Sequence, residues 1–231
     1  MKIRKLIVRS VLGLLALLLI GGIWYAWRAF PIISGYGSKN MCSAVFLQHR
    51  SPKDVLREDL GSFPLSLGSF TVNEKDSSVT GSVFGFAKRK TIYRKGIGCT
   101  IVNDFTEAEI KAQRFTIPAA PAIKADTIAW PYGNKINDTI AVTINKEQLD
   151  KTVDYVMNEK TKDGKPTYTS AVLVLYDGKI VAEKYARGFD KNTVMLGWSM
   201  SKSLTAAMAG VLVKQGKLNV DAPAPVPEWN N

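Results

Sequence analysis

The sequence predicts an α+β protein that begins with an apolar helix and continues into two regions of antiparallel strands and helices. Three observations predict this fold class. An uncharged apolar run occupies residues 10–27. Strand-forming stretches alternate with short turns over residues 70–102, and two apolar, β-branched runs flank Asp177-Gly178 ahead of a helix-forming stretch. Apolar residues make up 46% of the 231-residue chain, which is enough for a hydrophobic core.

The first element is the run "SVLGLLALLLIGGIWYAW", which contains 18 residues without a charge. As a helix it would span about 27 Å, close to the thickness of the hydrocarbon layer of a bilayer. Trp24, Tyr25 and Trp27 gather at one end, where aromatic side chains favour the membrane interface. Four basic residues precede the run, so we expect a single-pass anchor through residues 10–27 with a cytoplasmic N-terminus. A cleaved signal peptide is the alternative, although its apolar region is usually shorter and ends in small residues.

Everything after the anchor is therefore expected to lie outside the cytoplasm, in the periplasm, and both cysteines lie on that side. A disulfide between Cys42 and Cys99 would be worth about 4 kcal/mol in the chain-entropy model. Two buried free thiols are the alternative. Two cysteines and the single histidine, His49, do not form a metal-ligand cluster, so we expect no metal ion. No organic cofactor is expected either.

The formal net charge of +11 raises the possibility of a nucleic-acid-binding protein. Four of the basic residues precede residue 10, however, and the others are not clustered with aromatic residues. A membrane flank and a solvated basic surface account for the excess charge. We therefore expect no nucleic-acid partner, and the sequence leaves the oligomeric state open.

Local sequence patterns predict the secondary structure of the rest of the chain. The stretch "SPKDVLREDLGSF" predicts a short helix with Ser51 as its N-cap and Gly61 as its stop. Residues 70–102 predict two or three antiparallel strands connected through Ala87–Lys90, and the proline-rich stretch that follows predicts an irregular arm. The predicted regions are a cytoplasmic tail and anchor (1–28), a small extracytoplasmic α/β region (29–113), a connecting arm (114–145) and a final α+β region (146–231).

The final region combines three predicted elements. A helix is expected at about residues 146–159, with the apolar side chains of Leu149, Val153, Val156 and Met157 on one face. Asp177-Gly178 predicts a tight turn that pairs residues 171–176 with 179–185, because glycine accepts the positive φ that such a turn needs. A buried helix is then expected to begin near Ser199 and to end at Gly216.

Ser199 and Lys202 lie three residues apart at the start of this last helix and so share one of its faces. Serine becomes a nucleophile when a base removes its proton, and a neutral lysine is such a base. The ordinary pKa of lysine is about 10.4, so the site would have to favour the neutral amine through burial or through the helix end. The alternative is a serine that caps a helix beside a solvated lysine. With 15 serines and 22 lysines in the chain, chance alone accounts for one such spacing.

The order of hairpin, short connection and "GWSMSKSLTAAMAGVLVKQGKLNVDAP" resembles the serine hydrolases of the β-lactamase and penicillin-binding-protein superfamily, in particular their class C-like branch. The resemblance extends over about residues 169–229. Upstream, an anchor followed by "CSAVFL" and "GCTIV" is similar to membrane-anchored members of that branch. The resemblance implies that Ser199 is acylated, that Lys202 takes part in proton transfer, and that the substrate is a small-molecule ester, amide or peptide.

Two further motifs complete the active site in that superfamily, a Tyr-x-Asn or Tyr-x-Ser and a Lys- or His-x-Gly, and neither follows Lys202 here. Tyr132-Gly133-Asn134 lies upstream and is predicted to be a turn. We therefore expect the chain to be the N-terminal part of such an enzyme, with its catalytic domain truncated, and to be inactive or nearly so by itself. The alternative is a non-catalytic, membrane-anchored interaction protein or pseudo-enzyme that retains the first half of the fold.

Overall fold

The computed structural model describes residues 2–116, 119, 122–136, 144–224 and 226–229. The chain divides into two units, Met1–Val194 and Met195–Asn231. A long apolar helix, a small antiparallel sheet and a separate β-hairpin lie in the first unit, and one helix dominates the second. This mixture of helix and sheet confirms the predicted α+β class.

Helix α1 (Lys2–Phe46) contains the whole predicted anchor, residues 10–27, and continues well beyond it. Among the described residues it is the one helix long and apolar enough to cross a membrane, judged by length and composition. Its most apolar window of 18 residues has a mean hydropathy of 2.4, and none of that window is buried. These properties fit both a membrane anchor and a signal sequence.

A four-stranded antiparallel sheet follows α1, after a short helix, and its strands lie in chain order. Its strands are β1 (Gly68–Asn73), β2 (Ser78–Val83), β3 (Phe86–Arg94) and β4 (Gly98–Ile101). The small antiparallel region is thus confirmed, with one strand more than the predicted two or three. Each strand pairs with the next one in the chain. The turn between β1 and β2 therefore lies at one end of the sheet, and the turn between β2 and β3 lies at the other end.

The predicted connection through Ala87–Lys90 is wrong, because these residues lie within β3. The turn between β2 and β3 is formed by Phe84 and Gly85, whose φ angles of 50° and 81° are typical of a two-residue hairpin turn. The charged residues Lys88–Lys90 lie on this strand, and Lys90 is stabilised there by ion pairs with Asp76 and Glu107, both at 2.9 Å.

The second half of α1 packs against this sheet, although no helix is predicted from the sequence for residues 29–46. Ser34, Ser38 and Cys42 are four residues apart and fully buried, so they form one face of α1. The Ser34 hydroxyl donates a hydrogen bond of 2.5 Å to the Ala87 carbonyl, and the hydroxyls of Ser38 and Thr91 lie 2.8 Å apart. The buried serines are therefore satisfied by β3, as buried hydroxyls need to be.

The core of this region lies between α1, the sheet and helix α2 (Pro52–Glu58). The predicted N-cap of α2 is confirmed, since the Ser51 side chain accepts a hydrogen bond from the Asp54 amide. The predicted disulfide is also confirmed: Cys42 and Cys99 are bonded. The buried apolar side chains of this cluster are Met41, Cys42, Ala44, Val55, Leu60, Val79 and Cys99.

The predicted arm, residues 114–145, is irregular where the structure describes it. Helix α3 (Glu107–Ala112) precedes the arm and begins with a capping box between Thr106 and Glu109. The described part of the arm contains a single 3-10 turn at Ala125–Thr127 and an isolated bridge between Ala129 and Lys135. The rest of the prediction, at residues 117, 118, 120, 121 and 137–143, lies outside the described residues.

Three predicted elements of the final region are confirmed in the first unit. Helix α4 (Lys146–Met157) ends two residues before the predicted position, and Val153 on its apolar face is buried. Strands β5 (Ala171–Tyr176) and β6 (Lys179–Tyr185) pair antiparallel as predicted. Between them the φ angles of Asp177 and Gly178 are 48° and 69°.

Helix α5 (Met200–Lys214) is the main element of the second unit, and it begins and ends where predicted, with Gly216 at a φ of 69° just beyond it. The prediction that this helix is buried is wrong for this chain, because α5 contains no buried residue. Met200, Leu204 and Met208 are exposed by 70%, 66% and 63%. No strand is described within residues 195–231, so nothing in this unit covers the apolar stripe of α5.

Candidate active site

Ser199 occupies the N-cap position of α5 with helical backbone angles, φ −67° and ψ −14°. A serine that caps a helix accepts a hydrogen bond from an amide of the first turn through its side-chain oxygen. Ser199 makes no such bond. The alternative of an ordinary capping serine therefore does not describe this side chain, and the hydroxyl has no hydrogen-bond partner among the described residues.

One backbone amide at Ser199 has no hydrogen-bond acceptor among the described residues. The three amides of Met200–Lys202 donate to the carbonyl groups three residues earlier, at 2.8, 3.1 and 3.1 Å. The amide of Ser199 itself donates to no group in the part of the chain that the structure describes. An amide at the N-terminus of a helix is suited to bind an anion, because the helix dipole adds to its own partial charge.

Trp198, directly before the serine, has a φ of 41°. The left-handed region is rare for a bulky residue, and holding one there costs roughly 1–3 kcal/mol. Strain of this kind often occurs at active sites and ligand clamps, although this chain also has positive φ angles in ordinary turns such as that of Phe84 and that of Asp177. The position of Trp198 beside the candidate nucleophile agrees with that tendency.

Lys202 lies one turn after Ser199 on the same face of α5. Both side chains are exposed, and the structure shows no hydrogen bond between the Ser199 Oγ and the Lys202 Nζ. The amine of Lys202 therefore lies in water in this chain, whereas the sequence-based hypothesis expects a sheltered amine. The structure places the two residues together on a helix face but does not join their reactive atoms by a hydrogen bond.

The tyrosines described upstream do not complete the site. Tyr132-Gly133-Asn134 forms the predicted turn, and the Tyr132 side chain is 89% exposed. The hydroxyl of Tyr185 donates a hydrogen bond to Glu183, which raises the pKa of Tyr185 to about 12. A tyrosine with a raised pKa is a poor general base. The sequence analysis did not single out the Glu183–Tyr185 pair, although the two residues lie two apart on one face of β6.

No metal centre can be built from the residues that the structure describes, because they contain no group of three or more His, Cys, Asp or Glu side chains that could hold an ion. The start of α5 presents a hydroxyl, an amine and an amide that donates no hydrogen bond among the described residues.

Comparison with known proteins adds one finding. Residues 147–228 match the family model described as Beta-lactamase. The matched range begins at the second residue of α4, continues through the β5–β6 hairpin and α5, and includes Ser199 and Lys202. No solved structure matches the chain. The family match supports placing this part of the chain in the superfamily of β-lactamase and penicillin-binding-protein-like serine hydrolases.

Proposed function

We propose that this protein is a serine hydrolase of the class C-like branch, which cleaves an ester or amide bond of a small molecule or peptide through an acyl-serine intermediate. Ser199 is the nucleophile and Lys202 moves the proton. The observation that carries the proposal is the family match over residues 147–228, because it contains both residues at the start of α5.

The reaction follows from the atoms at the start of α5. The Ser199 Oγ attacks the substrate carbonyl carbon while the Lys202 Nζ takes the hydroxyl proton. The negative charge on the carbonyl oxygen is stabilised by the Ser199 amide, which donates no other hydrogen bond among the described residues. The proton then passes to the leaving group, and water hydrolyses the acyl-serine. The free hydroxyl, the open amide and the strained Trp198 support these roles.

The same proposal holds that the 231-residue chain is inactive by itself. Lys202 and the apolar stripe of α5 are exposed, so the amine lies in water and no described residue of the second unit covers the stripe. Activity requires a state in which α5 is covered, water is excluded from Lys202 and a second donor reaches the oxyanion.

The proposed location is extracytoplasmic, with residues 10–27 of α1 as a single-pass anchor and the N-terminus in the cytoplasm. The exposed apolar window of α1, the basic residues before it and the aromatic residues at its end support this orientation. The Cys42–Cys99 disulfide supports it independently, because disulfides persist in oxidising compartments outside the cytoplasm.

A non-catalytic interaction protein is the second candidate. The exposure of Lys202 and the absence of a hydrogen bond between its amine and the Ser199 hydroxyl favour it. Hydrolysis of a nitrophenyl ester separates the two functions. Protein isolated from its own membranes, in the state in which α5 is covered, should turn over the ester. The Ser199→Ala variant of that protein and the 231-residue chain by itself should not. Ser201→Ala, which removes a neighbouring exposed hydroxyl of α5, is the matched control and should keep the activity. No turnover by the native protein would favour the non-catalytic function.

A further inference from the structure

The turn between β2 and β3 lies beside the end of the apolar run of α1. The rings of Phe84 in this turn and Phe30 in α1 are 5.9 Å apart at an interplanar angle of 69°. Phe84 is nevertheless 65% exposed, and Phe86, which begins β3, is 70% exposed. Two large aromatic side chains are therefore presented to the surroundings at this end of the sheet.

The apolar run of α1 and the start of β3 line one groove of about 380 Å³, so the turn lies next to the apolar run. Ile23, Ala26 and Trp27 of α1 line one side, and Phe86, Ala87 and Arg89 of β3 line the other. Ile23, Ala26 and Trp27 belong to the proposed membrane span, so the wall facing them lies at the edge of the same bilayer. The groove is apolar apart from Arg89, whose long side chain can lie along an apolar surface while its charged end reaches water or lipid headgroups.

The depth of the turn follows from the helix geometry. Phe30 is three residues beyond Trp27, which corresponds to about 4.5 Å along α1. The polar interfacial layer on each side of the hydrocarbon core is roughly 5–8 Å thick. Since Phe84 contacts Phe30, its ring lies at the level of that layer when residues 10–27 span the bilayer.

The charges near the turn complement a lipid surface. Arg28 follows the apolar run, with its guanidinium 5.7 Å from the centre of the Trp24 ring. Lys88 and Arg89 follow Phe86 in β3. Cations beside exposed aromatic residues match the arrangement of a bilayer interface, where phosphate groups lie next to the acyl chains.

We propose that the β2–β3 turn is a second membrane contact, which inserts Phe84 and Phe86 into the interfacial layer and directs Arg28, Lys88 and Arg89 to lipid phosphates. The proposal rests on the membrane anchor proposed above. A single helix leaves a domain free to rotate about its axis, whereas a second contact beside it fixes which side of the sheet faces the bilayer.

Nitroxide labels on introduced cysteines test this contact in the full chain, reconstituted in vesicles of phosphatidylcholine and phosphatidylglycerol. Both native cysteines are in the disulfide and do not react with the label. The test labels are placed separately in Phe84→Cys and Phe86→Cys, so that each variant keeps the other aromatic residue. Lys75→Cys is the matched aqueous control, because Lys75 lies in the exposed turn at the opposite end of the same sheet. Ile20→Cys reports on the anchor.

Collision rates of each label with oxygen and with a water-soluble nickel chelate give its depth. The ratio of oxygen to nickel collisions at residues 84 and 86 should be severalfold higher than at residue 75 and lower than at residue 20. A ratio at both test positions equal to that at residue 75, with residue 20 in lipid, would overturn the second contact and leave the anchor intact. An aqueous label at residue 20 would overturn the anchor and this proposal with it.

Discussion

Cys42 of α1 and Cys99 of β4 are joined by a disulfide, with their Cα atoms 6.2 Å apart. Both side chains belong to the core between α1, α2 and the sheet. The bond therefore ties the last turns of the long apolar helix to the strand that is most distant in sequence within its sheet. It is the covalent part of a junction that otherwise depends on close packing and two buried serines.

Removing this bond should destabilise the small sheet region. The bonded residues are 57 positions apart, and a loop of that length corresponds to about 4 kcal/mol in the chain-entropy model. The double variant Cys42→Ala/Cys99→Ala should unfold at a clearly lower urea concentration than the oxidised protein, both measured by circular dichroism in detergent micelles. A reductant should lower the urea midpoint of the wild type and leave the midpoint of the variant unchanged. An unchanged midpoint in the variant would contradict a stabilising bond.

A side chain at Gly81 of β2 should destabilise the protein. A Cβ atom at this position would lie 2.4 Å from the Ser34 carbonyl oxygen and 3.1 Å from the Phe70 ring. Overpacking of this kind costs typically 1–3 kcal/mol, so Gly81→Ala should lower the free energy of unfolding by about that amount. Ser82→Ala, on the neighbouring residue of β2, is the control and should have a small effect. Equal stability of the two variants would show that α1 and β2 are not packed this closely.

The ion pairs of Lys90 should make stability depend on acid pH. The hydrogen bond from Lys90 lowers the pKa of Asp76, and the hydrogen bonds from Lys111 and Lys90 lower the pKa of Glu107. A carboxylate with a lowered pKa contributes stability above its ordinary pKa, here 3.8 and 4.5, and loses it as the pH falls through the lowered value. The midpoint of urea unfolding should therefore fall as the pH decreases below about 4.5.

The variant Lys90→Met identifies the source of this pH dependence. It should be less stable at neutral pH and should lose less stability on acidification than the wild type. Lys95→Met is the matched control, because Lys95 is exposed in the turn after the same strand and forms no ion pair within the described residues. The same acid slope in the Lys90 variant and the wild type would assign the effect to other carboxylates.

Lys202 should be required for activity of the native protein. Loss of a general base lowers the rate of a reaction by typically 10²–10⁴-fold, so Lys202→Ala should lower kcat for a nitrophenyl ester by about this factor. Lys214→Ala removes an exposed lysine from the last turn of the same helix and should leave kcat unchanged. If both variants keep the wild-type kcat, Lys202 does not move the proton.

The elements that the sequence predicts correctly depend on local chemistry. Asp177-Gly178 defines the β5–β6 turn because both residues adopt positive φ angles there, and Ser51 with Pro52 defines the start of α2. The turn at Phe84 was missed because phenylalanine is uncommon at positive φ, while the charged residues of β3 have the composition of a loop.

The extension of α1 beyond the anchor depends on packing that local propensity does not encode. Pro31 and several glycines and serines are unfavourable in the interior of a helix, so the sequence does not predict one there. The glycines and serines are small, however, and this allows α1 to contact the sheet closely. The four-residue spacing of Ser34, Ser38 and Cys42 is the one pattern that would have indicated it. At the candidate site, the three-residue spacing and the family resemblance single out Ser199 and Lys202, but neither of them encodes how exposed the amine is.

The reactivity of the Ser199 hydroxyl is the central claim, and peptide mapping after reaction with a fluorophosphonate probe tests it most directly. Trypsin releases residues 192–202 as one peptide, which contains Ser199 and Ser201, and fragmentation distinguishes the two serines. The account predicts that protein isolated from its own membranes carries one phosphonyl group on Ser199 and that Ser199→Ala carries none. An unmodified peptide from the native protein, or a probe bound to Ser201, would contradict it.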